Sequence, residues 1–391
     1  MHPTEKKFRR AVDAFMADNL PEAERILAQI NRKQPPDFNA LNLSSIIMMI
    51  QNRFVEAEKY IKRALALNKQ NDQTLSNYGL ILKSLNRPTE ALDWFTRALT
   101  INPKNPVTWH NRGTVLFELL NRYSDAIEDF DKAITYDPGF AAAMSSKGNC
   151  LSRLLRHDEA LAAFDKALSI KPDIEDAWLG RGVVFFALNR DAEALKCFDK
   201  ALEINSQSAE AHLNKAFVKL ALGDYEEGWQ LNEWRWKARN SRSINRNFTQ
   251  PLWLNDFDIR EKRLLIHAEQ GLGDTIQFSR YVKLLTDTGA AITFEVQAPL
   301  VSLFKSQGWS CHVIAQGDAL PPFDVHCPLI SLPLAFKTTV NTIPRESPYL
   351  SDDSMTAPRW AEQFRTSREV KKNRRGVVRK LGQCSPQHQI E

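Results

Sequence analysis

Along roughly the first 240 residues, apolar and small side chains return in phase every 34 positions. Gly79, Gly113, Gly148 and Gly182 stand 34, 35 and 34 residues apart, each opening a similar segment. Counted from seven residues before each glycine, position 20 is alanine in every segment: Ala91, Ala126 (one residue late, after an insertion), Ala160 and Ala194. Phenylalanine follows four residues later (Phe95, Phe130, Phe164, Phe198) and alanine three after that (Ala98, Ala133, Ala167, Ala201). Pro103, Pro138 and Pro172 close three segments, Ser206 replaces the fourth proline, and position 4 holds Leu75, Trp109, Met144 and Trp178. This spacing predicts two antiparallel helices per segment. Small residues at positions 8 and 20 let the helices approach, and proline stops the second because it has no N–H to continue the ladder. From Pro251 the pattern changes to short apolar runs separated by glycine turns and helical spacing, which predicts parallel strands alternating with helices. The expected strands are Arg263 to Ala268, Ala291 to Val296, Cys311 to Ile314 and a fourth in Val325 to Leu334, with helices over Thr275 to Leu285 and Pro299 to Ser306.

The recurring positions resemble the tetratricopeptide repeat (TPR) family, which implies an α-solenoid with a groove lined by the first helix of each pair. Extending the phase gives seven units, near 4–37, 38–71, 72–105, 106–140, 141–174, 175–208 and 209–240, the outer ones degenerate and suited to be caps. Such arrays bind extended peptides or partner helices, so the resemblance implies a protein or peptide partner. Position 6 carries Asn77, Asn111 and Asn214, interrupted by Ser146 and Gly180. An amide offers donor and acceptor together, so these three either hold a peptide backbone, as in the asparagine ladder of the TPR superhelix of O-GlcNAc transferase, or are merely solvated. The clamp that captures chain-terminal carboxylates in some TPR adaptors is not evident, since its basic positions hold Gln73, Val107, Ala142, Ser76, His110 and Ser145.

After the last unit come Trp229, Trp234 and Trp236, an aromatic cluster that suits either a packed seam or a sugar platform, with the seam favoured. Residues 241–251 lack helical period and form a linker; 252–350 form an α/β domain with a Rossmann-like parallel sheet. Gly271-Leu272-Gly273-Asp274 lies at its first strand-to-helix turn, where a helix N-terminus offers free N–H groups to an anion. A dinucleotide fingerprint is incomplete there, because Ile276 holds the place of the third glycine, although Glu295 ends the second strand where a ribose-binding acid belongs. The stretches GLGDTIQFSRYV and LPPFDVHCPLISLPLAF resemble the acceptor-side domain of GT-B glycosyltransferases, nearest the heptosyltransferases of lipopolysaccharide assembly, in a bacterial group where TPR arrays precede such a domain. That resemblance assigns Asp274 the role of general base, with Gly271 and Gly273 shaping the turn and His267, Glu269 and Gln270 beside it; a nucleotide sugar would be the donor and no bound cofactor is implied. Asp274 equally suits an ordinary helix cap. His312 and His326 read as packing residues.

Composition refines this. Apolar residues make up 43% and charged residues 25% of the 391, so wholesale disorder is excluded. Neither a membrane-spanning apolar run of about 18 residues nor a signal peptide is visible, and five scattered cysteines without a CxxC pair argue against a disulfide framework or a zinc site. A cytoplasmic protein without metal is expected. The net charge of +5 sits in the tail: between Arg359 and Lys380 nine basic residues face Glu362 and Glu369, a segment of +7 that leaves −2 for the rest. Residues 351–391 read as a linker and a basic, disordered tail. Gly376-Val377-Val378 resembles the start of a second Rossmann domain that does not continue, which fits a reading frame interrupted near Gly376; the competing reading is a functional arm for anionic lipid or nucleic acid, less favoured because it lacks interleaved aromatics. Two functions follow: an interaction scaffold carrying an incomplete, inactive glycosyltransferase-like domain, or an active glycosyltransferase using Asp274.

Overall fold

The computed structural model describes residues 3–32, 35–238, 246–286, 288–346 and 348–351. The basic tail and the expected interruption near Gly376 therefore lie outside the described residues. The chain divides into two compact units, Met1–Lys215 and Ala216 onward, and the division falls within the thirteenth helix.

Fourteen consecutive helices pair off along the chain: α1 (Pro3–Met16) with α2 (Leu20–Asn31), α3 (Phe38–Ile50) with α4 (Phe54–Leu67), and α5 (Asp72–Ser84) with α6 (Pro88–Ile101). They continue as α7 (Pro106–Glu118) with α8 (Tyr123–Tyr136), α9 (Ala141–Arg153) with α10 (His157–Ile170), α11 (Glu175–Ala187) with α12 (Asp191–Ile204), and α13 (Ala209–Ala221) with α14 (Tyr225–Asn232). Each second helix from α2 to α10 packs on the first helix of the next pair, and first helices from α3 to α11 also touch one another in succession.

The in-phase residues explain the packing. Phe95, Phe130, Phe164 and Phe198 are all fully buried, as are the alanines at position 20. Each ring packs directly against its own unit's glycine. A β-carbon on Gly79, Gly113, Gly148 or Gly182 would come within 2.7, 2.8, 2.7 and 2.5 Å of that ring, too close for any side chain. The glycine is thus the space that the phenylalanine fills. Trp109 and Trp178 reach back to the preceding loop, each indole N–H donating to a proline carbonyl (Pro103, Pro172) at 2.8 Å.

A further period lies in the turn between paired helices. Asp18, Asn52, Asn86, Asn121, Leu155, Asn189 and Gly223 all have φ between 52° and 81°. The next residue's N–H closes the turn on the last helical turn, as in Arg87 to Leu82 at 2.9 Å and Arg190 to Phe185 at 2.8 Å. That arginine then pairs with an acid three residues on: Arg53 with Glu56, Arg87 with Glu90, Arg122 with Asp125, Arg156 with Glu159 and Arg190 with Glu193. These pairs are open to solvent, which screens them, so they add little to stability.

Leu155 is the exception among residues that tolerate the left-handed region. It is 76% exposed, so packing does not compensate its strain. Leu155→Asn is expected to stabilise the repeats by about 1 kcal/mol, since an ordinary side chain in this region costs roughly that much. A urea midpoint equal to or below wild type would refute this.

The second unit holds a four-stranded parallel sheet of β1 (Arg263–His267), β2 (Ala291–Val296), β3 (Cys311–Ala315) and β4 (Val325–Pro328) in the order β3-β2-β1-β4. Leu264, Ile266, Phe294, Val296, Val313, Val325 and Cys327 fill its core, in an α/β arrangement. The single helix expected over Thr275 to Leu285 is two short ones, α15 (Leu272–Phe278) and α16 (Arg280–Thr286), broken at Ser279. The buried Ser279 hydroxyl turns back to the Ile276 carbonyl at 2.8 Å, a local bond that competes with the helical ladder. Past β2 and β4 come α17 (Val301–Lys305) and α18 (Leu332–Ala335).

Candidate functional site

On the first helices of the repeats, polar side chains link neighbouring units. The Thr74 hydroxyl meets Asn42 Oδ1 at 3.3 Å, Thr108 meets Ser76 at 3.2 Å, and His110 Nε2 meets the Ser146 hydroxyl at 3.2 Å. Burial, then the Lys83 charge, lowers the His110 pKa, so this ring is neutral. Position 7 carries a base that pairs with the acid at position 25 of the preceding unit: Lys147 with Asp131 (2.6 Å), Arg181 with Asp165 (2.8 Å) and Lys215 with Asp199 (3.0 Å).

The three asparagines expected in the groove have unlike surroundings. Asn77 is buried, Asn111 is half-buried, and Asn214 donates to the Glu210 carbonyl of its own helix at 2.9 Å. Gly180 interrupts the series for a steric reason: a β-carbon there would sit 2.4 Å from the Phe164 ring and 2.6 Å from Asn149 Oδ1.

In the α/β unit, the order in which strands are added reverses at β1: β2 and β3 lie to one side of it and β4 to the other, all parallel. Ligands of open α/β sheets settle at the carboxyl ends of strands at such a point. The expected site residues gather there, in two sets. His267, the last residue of β1, is 3% exposed; its Nε2 lies 3.3 Å from His326 Nδ1, and the Phe248 ring stands edge-on to both. Burial, together with His326, Arg246 and Arg235, pushes the His267 pKa down to about 3, and burial and Arg246 also lower that of His326. Both rings are neutral in the folded unit.

Glu269 belongs to a buried polar network. Arg235, 1% exposed, donates Nη2 to Glu269 Oε1 at 2.8 Å and to the Ser331 hydroxyl at 2.8 Å, and Nη1 to Glu233 Oε1 at 2.6 Å. Ser331 in turn donates to Glu233 at 2.9 Å. Burial works against the charge on Arg235, but Glu269 and Glu233 outweigh it and hold its pKa above the ordinary arginine value. One guanidinium thus ties the loop after β1 to the loop after β4. Beside it, Trp229 meets Phe278 edge-on, at 5.7 Å between ring centroids.

The glycine turn follows. The Gln270 carbonyl accepts from Gln297 Nε2 at 2.7 Å. Asp274 Oδ2 accepts from the Gly271 N–H at 3.1 Å, which caps α15. A β-carbon on Gly273 would meet nothing within 4 Å, so this glycine leaves open space beside the turn instead of accommodating a neighbour. Arg235 and Ser331 are the residues sequence reasoning passed over, while His326, read as a packing residue, stands against His267. The available signal was an arginine flanked by Trp234 and Trp236, a charge inside an aromatic cluster. Among the described residues no group of three or more His, Cys, Asp or Glu side chains is arranged to hold a metal, and no helix is long and apolar enough to cross a membrane.

Residues 175–208 match one tetratricopeptide repeat model, and residues 49–106 and 112–174 match a second. A crystal structure of a tetratricopeptide repeat protein from Parabacteroides merdae is similar at 22% identity and a TM-score of 0.51, over 58% of this chain and 90% of that one. The APC/C hetero-tetramer Cut9-Hcn1 is similar at 15% identity and a TM-score of 0.50, over 55% of this chain and 42% of that one. No curated protein matches. Residues 49–106, 112–174 and 175–208 therefore carry tetratricopeptide repeats, a framework suited to protein–protein interaction.

Proposed function

We propose that the chain is an interaction scaffold that holds a protein or peptide against the first helices of its repeats. On this reading the α/β unit is an inactive glycosyltransferase-like domain of Rossmann type. The observation that carries the scaffold reading is how the repeats spend their apolar residues. Phenylalanine, alanine and glycine at fixed positions are consumed inside the stack, while Val107 on α7, one helical turn before the half-buried Asn111, and Val183 on α11 remain 51% and 39% exposed. Surface apolar groups next to an amide suit a peptide ligand, giving side-chain burial together with main-chain hydrogen bonds. A peptide array probed with the wild-type chain and with Asn111→Ala/Val183→Glu tests this reading. Peptides bound by the first and lost by the second support it; an identical binding pattern overturns it.

The second reading is an active glycosyltransferase that takes a nucleotide sugar and uses Asp274 as general base toward a protein or glycan acceptor. The open space beside Gly273, at the carboxyl end of β1, favours it. Against it stands the hydrogen bond that Asp274 already accepts from the Gly271 N–H, which commits a carboxylate oxygen to capping α15. Calorimetric titration with nucleotide sugars separates the two. The scaffold reading expects no binding; binding together with sugar transfer that Asp274→Asn abolishes would establish the enzyme.

A further inference from the structure

Away from the first-helix face, a cleft of about 630 Å³ opens between α4, α5 and α6. Its floor is Leu65, Leu75 and Tyr78, all buried, and Trp94 forms one wall with its ring centroid 4.7 Å from that of Tyr78. Lys62, Lys69 and Arg97 stand around it, and none of the residues lining it is acidic. Lys62 is already paired with Glu58 at 2.7 Å. Glu58 also accepts from Tyr78 and Arg87, and its pKa is lowered to about 2 by these partners although burial opposes them. Arg97 lies over the Trp94 ring at 4.6 Å, and neither it nor Lys69 has a carboxylate partner among the described residues.

The repeat pattern explains why the cleft is open here. In the next unit and in the sixth, position 4 is a tryptophan that folds back onto the proline of the preceding loop (Trp109 on Pro103, Trp178 on Pro172). At this interface position 4 is only Leu75, and Lys69 stands where that proline would be. The ion-pair ladder is altered as well. Position 25, which is Asp131, Asp165 and Asp199 farther along, is Lys62, and position 7, a base in the four units that follow (Arg112, Lys147, Arg181, Lys215), is Tyr78. One interface in the array has thus lost its filling side chain and reversed its charge.

We infer that this cleft binds an acidic peptide segment that inserts one bulky apolar side chain between Trp94 and Leu75. The aromatic floor suits the inserted side chain. The cations set the rest: Lys62 lies within α4, Lys69 in the turn beyond its end and Arg97 on α6, so they stand apart on separate elements around the aromatic floor. Carboxylates on both sides of an apolar residue match that separation.

The test is fluorescence anisotropy with a labelled, end-blocked heptapeptide of one phenylalanine flanked by three glutamates on each side. Two controls carry alanine for the phenylalanine or lysines for the glutamates. Wild type should bind the first peptide at least about tenfold more tightly than either control, and more weakly as salt rises. Leu75→Trp, which supplies the indole found at Trp109 and Trp178, should cost about tenfold or more with the helical melting transition retained. If that variant does not fold, Lys69→Glu/Arg97→Glu, at two exposed positions, is expected to give the same loss. Asn111→Ala/Val183→Glu should leave this binding unchanged, which separates the cleft from the first-helix face. Failure of wild type to bind, equal binding of a control, or undiminished binding by folded cleft variants would overturn the inference.

Discussion

Phe164→Ala is expected to destabilise the repeat unit by about 3–5 kcal/mol, the cost of emptying a fully buried aromatic site. Phe164 is placed differently from the other three phenylalanines, because two glycines face it. Gly148 of its own unit and Gly180 of the next both lie so near that a β-carbon would overlap its ring. Removing the ring therefore opens the joint between α9, α10 and α11 as well as one helix pair. In a solenoid, where stability is a sum of units and neighbour interfaces, such a loss splits the cooperative array. Gly148→Ala gives the complementary result. Alone it drives a methyl into the ring and destabilises; combined with Phe164→Ala it should cost less than it does alone, with a coupling of about 0.5–3 kcal/mol. Urea unfolding followed by helical circular dichroism measures the cycle. A Phe164→Ala loss below about 1 kcal/mol, or strictly additive costs, would show that the ring and the glycines are not one packing element.

The helix pairs were legible because the same steric requirement is met over and over at fixed positions: Gly79 with Phe95, Gly113 with Phe130, Gly148 with Phe164, Gly182 with Phe198. The turn between paired helices repeats just as regularly in the structure, yet it was not read. Its signal is a backbone angle shared by Asn, Asp, Gly and one Leu, so the residue identities blur while φ does not. The cross-unit ladder from Lys147 to Asp131 and from Arg181 to Asp165 was missed for a related reason. Charged positions look like a solvated surface until two units are set side by side.

In the α/β unit the strands stood out as apolar runs, and all four lie where those runs fall. Helix continuity was harder, since the bond from the Ser279 hydroxyl to Ile276 is local but depends on the serine being buried. The candidate site was legible in its turn and opaque in its partners. Gly271 and Asp274 are three residues apart and their capping bond follows from position alone. Glu269 and Arg235 are separated by 34 residues, Arg235 and Ser331 by 96, and nothing local in either stretch points to the other. The same holds for His267 and His326, which parallel pairing of β1 with β4 brings together.

Arg235→Met is expected to remove about 3–5 kcal/mol from the second unit, because it leaves Glu269 buried without its counter-charge. The guanidinium meets two carboxylates and a hydroxyl at once. Arg235→Lys should therefore recover only part of the loss, since an ammonium is a point charge and lacks the planar fork. The direction reverses when the stranded acid is neutralised as well: Arg235→Met/Glu269→Gln should be more stable than Arg235→Met alone, as the largest part of the penalty is the uncompensated buried carboxylate. Two compact units need not unfold together, so the readout must be local. Hydrogen exchange of peptides covering Arg263–His267 and Val325–Pro328 supplies it, with protection in α3 to α10 as the internal control. Loss of protection confined to β1 and β4 identifies Arg235 as the clip between the two loops at the point where the strand order reverses. Unchanged exchange there would mean that the sheet edges hold without it, and that the carboxyl ends of β1 and β4 can part to admit a ligand at low cost.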